Sequence, residues 1–375
     1  MAHDVAVLGA TIAGLTAARR LAAEGYDVVV LDPNPAGVSA AVGHGVAACA
    51  HTSTVARMEA AYGPEAVREH VWRNLAGIDE IRTVATAGGV SIDTLELHDH
   101  SYGVTLDREL SEMARLLAEA GAEVWPLRRD ERRQAGAGLG SRALVLSPVD
   151  YAEALLAQAK AAGARLHSDV TVTSLLRRDG ESLVRFRPNF AWQHDVGQLR
   201  ASAVIDTLGV SPWGRMAAVG EAQLVPMVGF VPAEPIDQVT LRAGPPVWLV
   251  RPVGDHEAVA FGPKAHGAVA ESETAALSRW VQAELGATGI DTGALRIDPS
   301  DHGRPVVGAS ATPGGFYARG NGRGELMNGT ASGTYLASLL IGTVGGAKRN
   351  ALPMWSRVRA QARHAAGRVI GRDCA

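Results

Sequence analysis

The chain has 375 residues, enough for two domains, and its 47% hydrophobic and 20% charged content is typical of a globular protein. A formal net charge of −3 gives no electrostatic reason to expect a nucleic acid or an anionic membrane as partner. No basic stretch precedes the first apolar run, so we expect neither a signal peptide nor a transmembrane helix. Two cysteines and the lack of any Cys/His metal spacing predict a reducing, cytoplasmic location without a bound metal.

The first strand, turn and helix have the pattern of a dinucleotide-binding unit. Residues 5–8 are a continuous apolar run, typical of a strand buried on both faces, and residues 15–23 predict an alanine-rich helix. Gly9, Thr11 and Gly14 stand between them, and the second strand ends on Asp32. Such a turn lets backbone N–H groups approach a pyrophosphate, and a carboxylate about twenty residues further on binds ribose hydroxyls. The pattern therefore predicts a bound adenine dinucleotide.

Thr11 departs from the glycine fingerprint of such turns. It takes the middle position, where the backbone comes closest to the phosphates. A threonine hydroxyl can hydrogen-bond a phosphate, so binding remains compatible with this residue. The alternative is an ordinary βαβ unit in which Gly14 only packs the helix, but the order of strand, turn, helix and acid favours the dinucleotide.

The middle of the chain alternates helices and strands. Ser147 and Pro148 are typical of a helix start, and Gly163 of a helix end. The predicted elements are two helices within residues 57–87, a strand-like stretch over 90–106, a helix over 108–120, a polar Gly-rich connection over 130–142, a helix over 149–162, strands over 165–175 and 203–208, a meander over 224–261 and a helix over 271–285.

A second glycine-rich helix start lies in the C-terminal part. Gly320, Gly322 and Gly324 alternate ahead of a small-residue helix predicted over 330–341. A bare helix N-terminus favours partial negative charge on a ligand. A dinucleotide needs one such site for its pyrophosphate, whereas a flavin needs a second for the ring edge that becomes anionic on reduction. Two such starts therefore favour a flavin.

In this order the motifs resemble the amine-oxidising flavoenzymes of the D-amino-acid oxidase superfamily, closest to the glycine oxidase and sarcosine oxidase branch. The resemblance runs from end to end. Beyond the N-terminal turn, it depends on Ser39, Ala40, Ala41 and Gly43, on Ser147 to Asp150, on Ile205 to Gly209 with Trp213, and on Gly303, Arg304, Pro305 and Gly308.

The resemblance implies an α/β fold in which a Rossmann-like FAD-binding domain carries a second, smaller substrate domain built on a mixed antiparallel sheet. The FAD-binding domain is expected to be discontinuous, over 1–85, 146–215 and 298–375. The substrate-binding domain is expected over 86–145 and 216–297.

FAD is the cofactor that the resemblance implies. Val172 is expected to present backbone to the adenine side, and residues 322–326 to lie at the ring edge, where Glu325 replaces a common glycine. The expected FAD-binding residues are Gly9, Thr11, Ile12, Ala13, Gly14, Asp32, Pro33, Ser39, Ala40, Gly43, Val172, Gly209, Gly322, Arg323, Gly324, Glu325 and Leu326.

Two arginines are candidates for the substrate carboxylate. Arg296, on a predicted strand, is similar in position to the arginine that pairs with the carboxylate in glycine and D-amino-acid oxidases; otherwise it is a surface residue. Arg323 falls where glycine oxidases carry an arginine near substrate and flavin, and its alternative is a purely cofactor-binding role.

His44 and Trp248 are further candidates for the catalytic site. His44 is expected to face the flavin as a base or gate, or else to be a satisfied core histidine. Trp248 stands where related oxidases have a substrate-binding tyrosine; it is equally compatible with a packed strand aromatic.

The resemblance implies an enzyme that oxidises the C–N bond of an amine or amino acid by hydride transfer to flavin. Dioxygen or another electron acceptor would reoxidise the flavin, and the changed site residues suggest a substrate of specialised metabolism rather than glycine. Two alternatives stay open: oxidation of a 2-hydroxy acid with His44 as base, and a non-catalytic flavin-binding protein, because Thr11, Trp248 and Glu325 depart from the family pattern.

Overall fold

The computed structural model describes residues 2–35, 43–49, 51–100, 107–127, 137–178, 180–189, 196–211, 222–242, 245–263, 269, 271–300 and 302–344. In chain order the elements are β1 (Ala2–Leu8), α1 (Ile12–Ala23), β2 (Val28–Leu31), β3 (Val46–Ala47), α2 (Thr52–Tyr62), α3 (Pro64–Gly88), β4 (Asp93–His100), α4 (Asp107–Glu119), β5 (Val124–Leu127), β6 (Gly138–Val145), α5 (Pro148–Ala161), β7 (Arg165–His167), β8 (Val170–Arg178), β9 (Glu181–Pro188), β10 (Gly197–Asp206), β11 (Gln223–Val231), β12 (Gln238–Arg242), β13 (Leu249–Val253), β14 (Glu257–Phe261), α6 (Glu271–Leu285), β15 (Thr288–Ile297), β16 (Val306–Ala309), β17 (Gly315–Arg319), a 3-10 turn (Gly322–Gly324) and α7 (Glu325–Val344).

The first sheet is built around parallel strands in the order β17-β10-β1-β2-β7. Its inner strands are apolar throughout because both faces are covered. Helices α1, α5 and α7 contribute to the core on one face, and the antiparallel pair β8 and β9 contributes to the core on the other. This arrangement confirms the predicted Rossmann-like α/β fold class.

The second sheet is mixed and has the order β15-β11-β14-β13-β12-β4-β6-β3, with β5 paired to β6. Its pairs are antiparallel except for β12 with β4. Helix α6 covers one face, where Leu277 and Val281 pack near Phe230. The sheet confirms the expected second, mixed antiparallel unit. The residue bounds of the two domains stay a prediction, and β3 joins this sheet although it falls within 1–85.

Residues 138–142, expected to be a connection, instead form the first part of β6. Small residues obscure the strand pattern there, yet close packing requires them. A Cβ at Gly138 would lie 2.4 Å from the carbonyl oxygen of Asp99, and a Cβ at Gly140 would lie 2.0 Å from Nε1 of Trp125. The glycines that lower the β-propensity of this stretch are therefore required by tight packing.

Two other element predictions differ from the structure in detail. The strand expected over 165–175 is divided into β7 and β8 because Asp169 adopts a left-handed conformation with φ +59°. The meander expected over 224–261 holds for β12, β13 and β14, but β11 pairs with β14 and β15 instead of β12. The structure confirms the two predicted helices α2 and α3. It also confirms that α5 begins at Pro148, behind the Ser147 cap.

Helix α7 begins five residues before its predicted start and packs across α1 and α3. Small residues permit this close approach: a Cβ at Gly333 would lie 2.4 Å from the carbonyl oxygen of Ala13 and 2.7 Å from Cβ of Thr16. Among the helices that the structure describes, α7 included, none is long and apolar enough to span a membrane.

Alanine at two glycines of α7 should have opposite effects on the free energy of unfolding. We expect Gly333→Ala to lower it by about 1–3 kcal/mol, because α1 and α7 must move apart. No atom lies within 4 Å of a Cβ at Gly342, so Gly342→Ala should raise it by up to about 1 kcal/mol through helix propensity. Urea unfolding of both variants measures the difference, and equal effects would contradict the close approach.

Candidate cofactor and substrate site

The turn after β1 is held in place by Asp32, which follows β2. This side chain is fully buried. Its Oδ2 accepts a hydrogen bond of 2.6 Å from the N–H of Ala10, and its Oδ1 accepts one of 2.9 Å from the N–H of Asn34. The carboxylate is thereby fixed beside the turn, at the carboxyl ends of two neighbouring parallel strands.

Thr11 caps helix α1. Its Oγ1 accepts a hydrogen bond of 3.1 Å from the N–H of Gly14 and donates one of 2.8 Å to Oγ1 of Thr207. The hydroxyl considered as a phosphate ligand is thus engaged within the protein. A side chain at this position serves the helix start and the contact with the strand-end residue Thr207.

Glycine is required elsewhere in this turn. A Cβ at Gly14 would lie 2.1 Å from the carbonyl oxygen of Gly9, and Gly9 itself has φ +107°. The backbone at the start of α1 can therefore be approached closely, as a pyrophosphate requires. The residues present fit the pyrophosphate and ribose of FAD, although Thr11 replaces the middle glycine.

The other expected cofactor residues fall in three places. Ile12 and Ala13 form the first turn of α1 with buried side chains, and Pro33 follows Asp32. Val172 lies in β8, partly buried against the first sheet. Gly209 follows β10, where its N–H donates to Oδ1 of Asp206 at 2.8 Å. Ser39 and Ala40, like the motif residues Ala41 and Trp213, lie outside the described residues.

The start of α7 contains the remaining expected cofactor residues. The N–H of Gly322 donates to the carbonyl oxygen of Asp298 at 2.9 Å, so this amide is not available to a ligand. Gly324 is buried in the 3-10 turn, and Leu326 belongs to the core of the first sheet. The bare helix start inferred from three glycines is therefore partly closed by Asp298.

Glu325 is buried at the first position of α7. A Cβ at Gly43 would lie 3.7 Å from Cβ of Glu325, which brings two expected cofactor residues together. Burial, reinforced by the nearby negative charge of Asp298, raises the pKa of Glu325 to about 8. The side chain is consequently a neutral carboxylic acid near pH 7.

A cavity of about 590 Å³ lies between α2, the 3-10 turn and the second sheet. Among its described lining residues, Arg57 and Arg323 are cationic and none is acidic. The wall is formed by His51, Ser53, Thr54, Ala56, Arg57, Ala60, His70, Trp248, Pro263, Ile297, Pro299, Ser300, Gly303, Asn321, Gly322, Arg323, Gly324, Met327 and Asn328.

Arg323 presents an enclosed guanidinium to this cavity. Its Cζ lies 3.9 Å from the centre of the Trp248 ring, and its Nη2 donates to the carbonyl oxygen of Gly262 at 3.2 Å. Burial, together with the positive charge of Arg57, lowers the pKa of Arg323 to about 9. Within the described residues it forms no ion pair, so the site contains a desolvated cation without a counter-ion.

Two buried histidines flank the indole of Trp248. The ring centres of His44 and His51 lie 5.4 Å and 6.4 Å from that of Trp248. Across the described residues, no ring nitrogen of either histidine makes a hydrogen bond of ordinary geometry. His51 lines the cavity and His44 lies behind the indole.

Both histidines are uncharged at neutral pH. Burial lowers the pKa of His44 well below its ordinary value. The neighbouring His51, Arg323 and Arg251 lower it further through electrostatic repulsion. Burial also lowers the pKa of His51, although the carboxylate of Asp99 opposes this shift. Each imidazole is therefore neutral, and it is a weaker base than an exposed histidine.

Arg296 does not reach the cavity. Successive side chains of a strand point to opposite faces, and in β15 the buried Ile297 lines the cavity while Arg296 is exposed on the other face. The structure brings together Arg323, Trp248 and, behind them, His44, but not Arg296.

Sequence reasoning missed Arg57 and His51. Both are on or beside α2, which has no recognisable motif. Ser53, Arg57 and Ala60 have the spacing of one helix face, and all three line the cavity. That spacing identifies a face, but it does not indicate what the face meets. The part of the chain that the structure describes holds no cluster of three metal-ligating side chains.

Comparisons with known proteins agree with this architecture. The family model described as FAD dependent oxidoreductase matches residues 4–339. Glycine oxidase from Bacillus cereus ATCC 14579 superposes with a TM-score of 0.69 at 15% identity, covering 91% of this chain and 95% of that one. L-proline dehydrogenase from P. horikoshii gives 0.67 at 13% identity, with coverages of 96% and 98%. L-alpha-glycerophosphate oxidase from Mycoplasma pneumoniae, solved with FAD bound, gives 0.67 at 14% identity, with coverages of 95% and 98%. A search of curated proteins found no match.

The buried acid at the start of α7 should make stability depend on pH. Because the pKa of Glu325 is about 8 in the folded chain and near 4.5 when exposed, the unfolded state releases its proton first. The free energy of unfolding should then fall between about pH 5 and 8, by up to about 1.4 kcal/mol per pH unit.

We expect Glu325→Gln to remove this slope, and Glu65→Gln, at the exposed first turn of α3, to retain it. Urea unfolding of the FAD-free protein from pH 5 to 9 measures both variants. An unchanged slope in Glu325→Gln would show that this carboxyl group does not titrate in the expected range.

Proposed function

Because the chain belongs to the FAD dependent oxidoreductase family, we propose that it uses FAD to oxidise the C–N bond of an amino acid, with dioxygen as the subsequent electron acceptor. The single observation that carries this proposal is the guanidinium of Arg323, enclosed in the cavity without an acidic partner in the described residues. A planar guanidinium matches a carboxylate with two parallel hydrogen bonds. The substrate class follows from that match.

In this proposal the turn formed by Gly9 and Gly14 holds the pyrophosphate of FAD, Asp32 binds the ribose, and Gly43 and the start of α7 lie along the ring. When bound, FAD supplies the acceptor for the two electrons that leave the substrate carbon. The protein's own task is then to orient the substrate and to set its protonation state.

Trp248 orients the guanidinium. Stacking at 3.9 Å on the indole face fixes the plane of Arg323 and excludes water from one side of it. The hydrogen bond to the carbonyl oxygen of Gly262 fixes its rotation within that plane. A carboxylate entering the cavity therefore meets donors that need little rearrangement, which favours tight binding.

The charge of the cavity also favours the reactive form of the substrate. An amine must be uncharged to lose a hydride from its α-carbon, because its lone pair stabilises the developing cation. Two cationic side chains and no acidic side chain among the described lining residues disfavour an ammonium ion. The neutral His51 is placed to take up the released proton.

The similar structures support the amino-acid class without deciding it. Glycine oxidase and L-proline dehydrogenase are named for amino acids, whereas L-alpha-glycerophosphate oxidase is named for a phosphorylated alcohol. For this chain the choice depends on the enclosed Arg323 and on direct measurement.

Anaerobic titration of the FAD-loaded protein tests the proposal. Amino acids should bleach the oxidised flavin band. The corresponding amines, which lack the carboxylate, should not bleach it. Arg323→Gln should weaken carboxylate binding about 100-fold or more, because a desolvated charge pair is lost. Arg296→Gln, on the exposed face of β15, is the matched control and should change it by less than about twofold.

The outcomes separate the readings. Equal losses in the two variants would contradict the assignment of Arg323. Bleaching by simple amines would exclude a carboxylate requirement. A bound-flavin spectrum that no amine, amino acid or 2-hydroxy acid bleaches would favour a flavin-binding protein without turnover, and hydrogen peroxide formed in air would identify dioxygen as the acceptor.

Oxidation of a 2-hydroxy acid is a second candidate, favoured by the neutral imidazoles beside the cavity. An alcohol must lose its hydroxyl proton as the hydride leaves, so it needs a base, whereas an amine can be deprotonated beforehand. His51→Asn and His44→Ala should then reduce flavin reduction by about 10²-fold or more with 2-hydroxy acids, and less with amino acids.

His70→Gln is the control for these histidine variants. His70 also lines the cavity, but its Nε2 is engaged by Nδ2 of Asn74 at 2.9 Å. Rapid-reaction absorbance of the flavin measures each rate. A similar small loss in all three variants would argue against a histidine base.

A further inference from the structure

We propose that the substrate carries a second anionic group, which Arg57 binds on the outer side of the cavity, so that the oxidised compound is an acidic amino acid. This inference rests on the proposed function, in which Arg323 binds the α-carboxylate. The second group is a carboxylate or a comparable anion at the end of the side chain.

Arg57 is positioned to face the cavity. Its Nε donates to the carbonyl oxygen of Ser53, one helical turn earlier, at 3.1 Å, and its Nη2 reaches Oγ1 of Thr54 at 3.5 Å. These contacts hold the guanidinium along α2 and leave Nη1 without a hydrogen bond to any described residue. The residue is exposed, whereas Arg323 is enclosed, so the two cations lie at different depths of one cavity.

Neither Arg57 nor Arg323 has a counter-ion among the described residues, unlike two arginines of the adjacent helix. On the adjacent helix α3, Arg68 pairs with Glu65 and Glu119, and Arg73 pairs with Glu69. These two arginines of α3 are thus neutralised by glutamates. Arg57 forms no ion pair with a described residue, and it lines a cavity with a second cation, Arg323, of which the same holds.

The two positive charges affect each other. The charge of Arg57 is one of the causes that lower the pKa of Arg323, so the guanidinium groups are close enough to repel. A ligand with an anionic group at each end would remove this repulsion at both positions.

Paired ligands that cannot be oxidised test the inference by binding alone. Butanoate and succinate, and likewise pentanoate and glutarate, differ by one carboxylate at equal chain length. Dissociation constants follow from the change that each ligand causes in the flavin absorbance of the FAD-loaded protein. We expect each dicarboxylate to bind about tenfold more tightly than its partner.

Arg57→Gln should reduce this ratio of dissociation constants to near one. Arg68→Gln, on the exposed surface of α3, is the matched control and should keep the ratio of the unmodified protein. A ratio near one in the unmodified protein would overturn the inference. A ratio that Arg57→Gln leaves unchanged would also overturn it. If this variant loses affinity for both ligands equally, the two arginines share one carboxylate and the inference fails as well.

Two further readouts distinguish failure of the inference from failure of the proposed function. Arg323→Gln should weaken the binding of monocarboxylates and dicarboxylates alike. Undiminished binding of monocarboxylates would overturn the role of Arg323 itself. In anaerobic bleaching, aspartate and glutamate should reduce the flavin at lower concentration than asparagine and glutamine. Equal effects within these pairs would overturn the second anionic group while leaving amino-acid oxidation intact.

Discussion

The close approach of helix α1 to its two neighbours is the constraint on which the rest of the site depends. A Cβ at Gly14 would lie 2.1 Å from the carbonyl oxygen of Gly9, and one at Gly333 would lie 2.4 Å from that of Ala13. The first contact fixes α1 on the turn after β1, and the second fixes α7 on α1. The start of α7, with Glu325 and the preceding Arg323, is thereby placed relative to the dinucleotide turn.

The second sheet completes the site by supplying apolar walls for a charged group. Trp248 and the carbonyl oxygen of Gly262 hold Arg323 from the side opposite α2. Removing a guanidinium from water without giving it an anion costs free energy, which makes Arg323 a candidate for pairing with an anionic ligand. Burial, together with the charge of Arg57, lowers the pKa of Arg323 to about 9.

Local patterns were sufficient to predict much of the fold. The buried strands, the turn at Gly9 and the Ser147 cap of α5 each depend on a few consecutive residues. Strand β6 was missed because Gly138 and Gly140 hide its alternation, and the need for glycine arises from Asp99 and Trp125, which are distant in sequence. Arg296 was proposed because it lies beside a motif, whereas Arg57 lies beside none. Alternation shows that Arg296 and Ile297 face opposite sides, but only the packed sheets show which side is the cavity.

Thr11 departs from the expected glycine pattern for a structural reason. This bears on whether the chain acts on a substrate. Thr11 caps α1 and bonds to Thr207, so its hydroxyl has a structural use. Arg323 is different, since within the described residues nothing neutralises it. Among the described residues, the cost of burying this charge is offset only by the stack on Trp248 and the hydrogen bond to the carbonyl oxygen of Gly262. A guanidinium without an ion pair among the described residues therefore argues for an anionic ligand, and the exposed Arg57 adds a second positive charge to the same cavity.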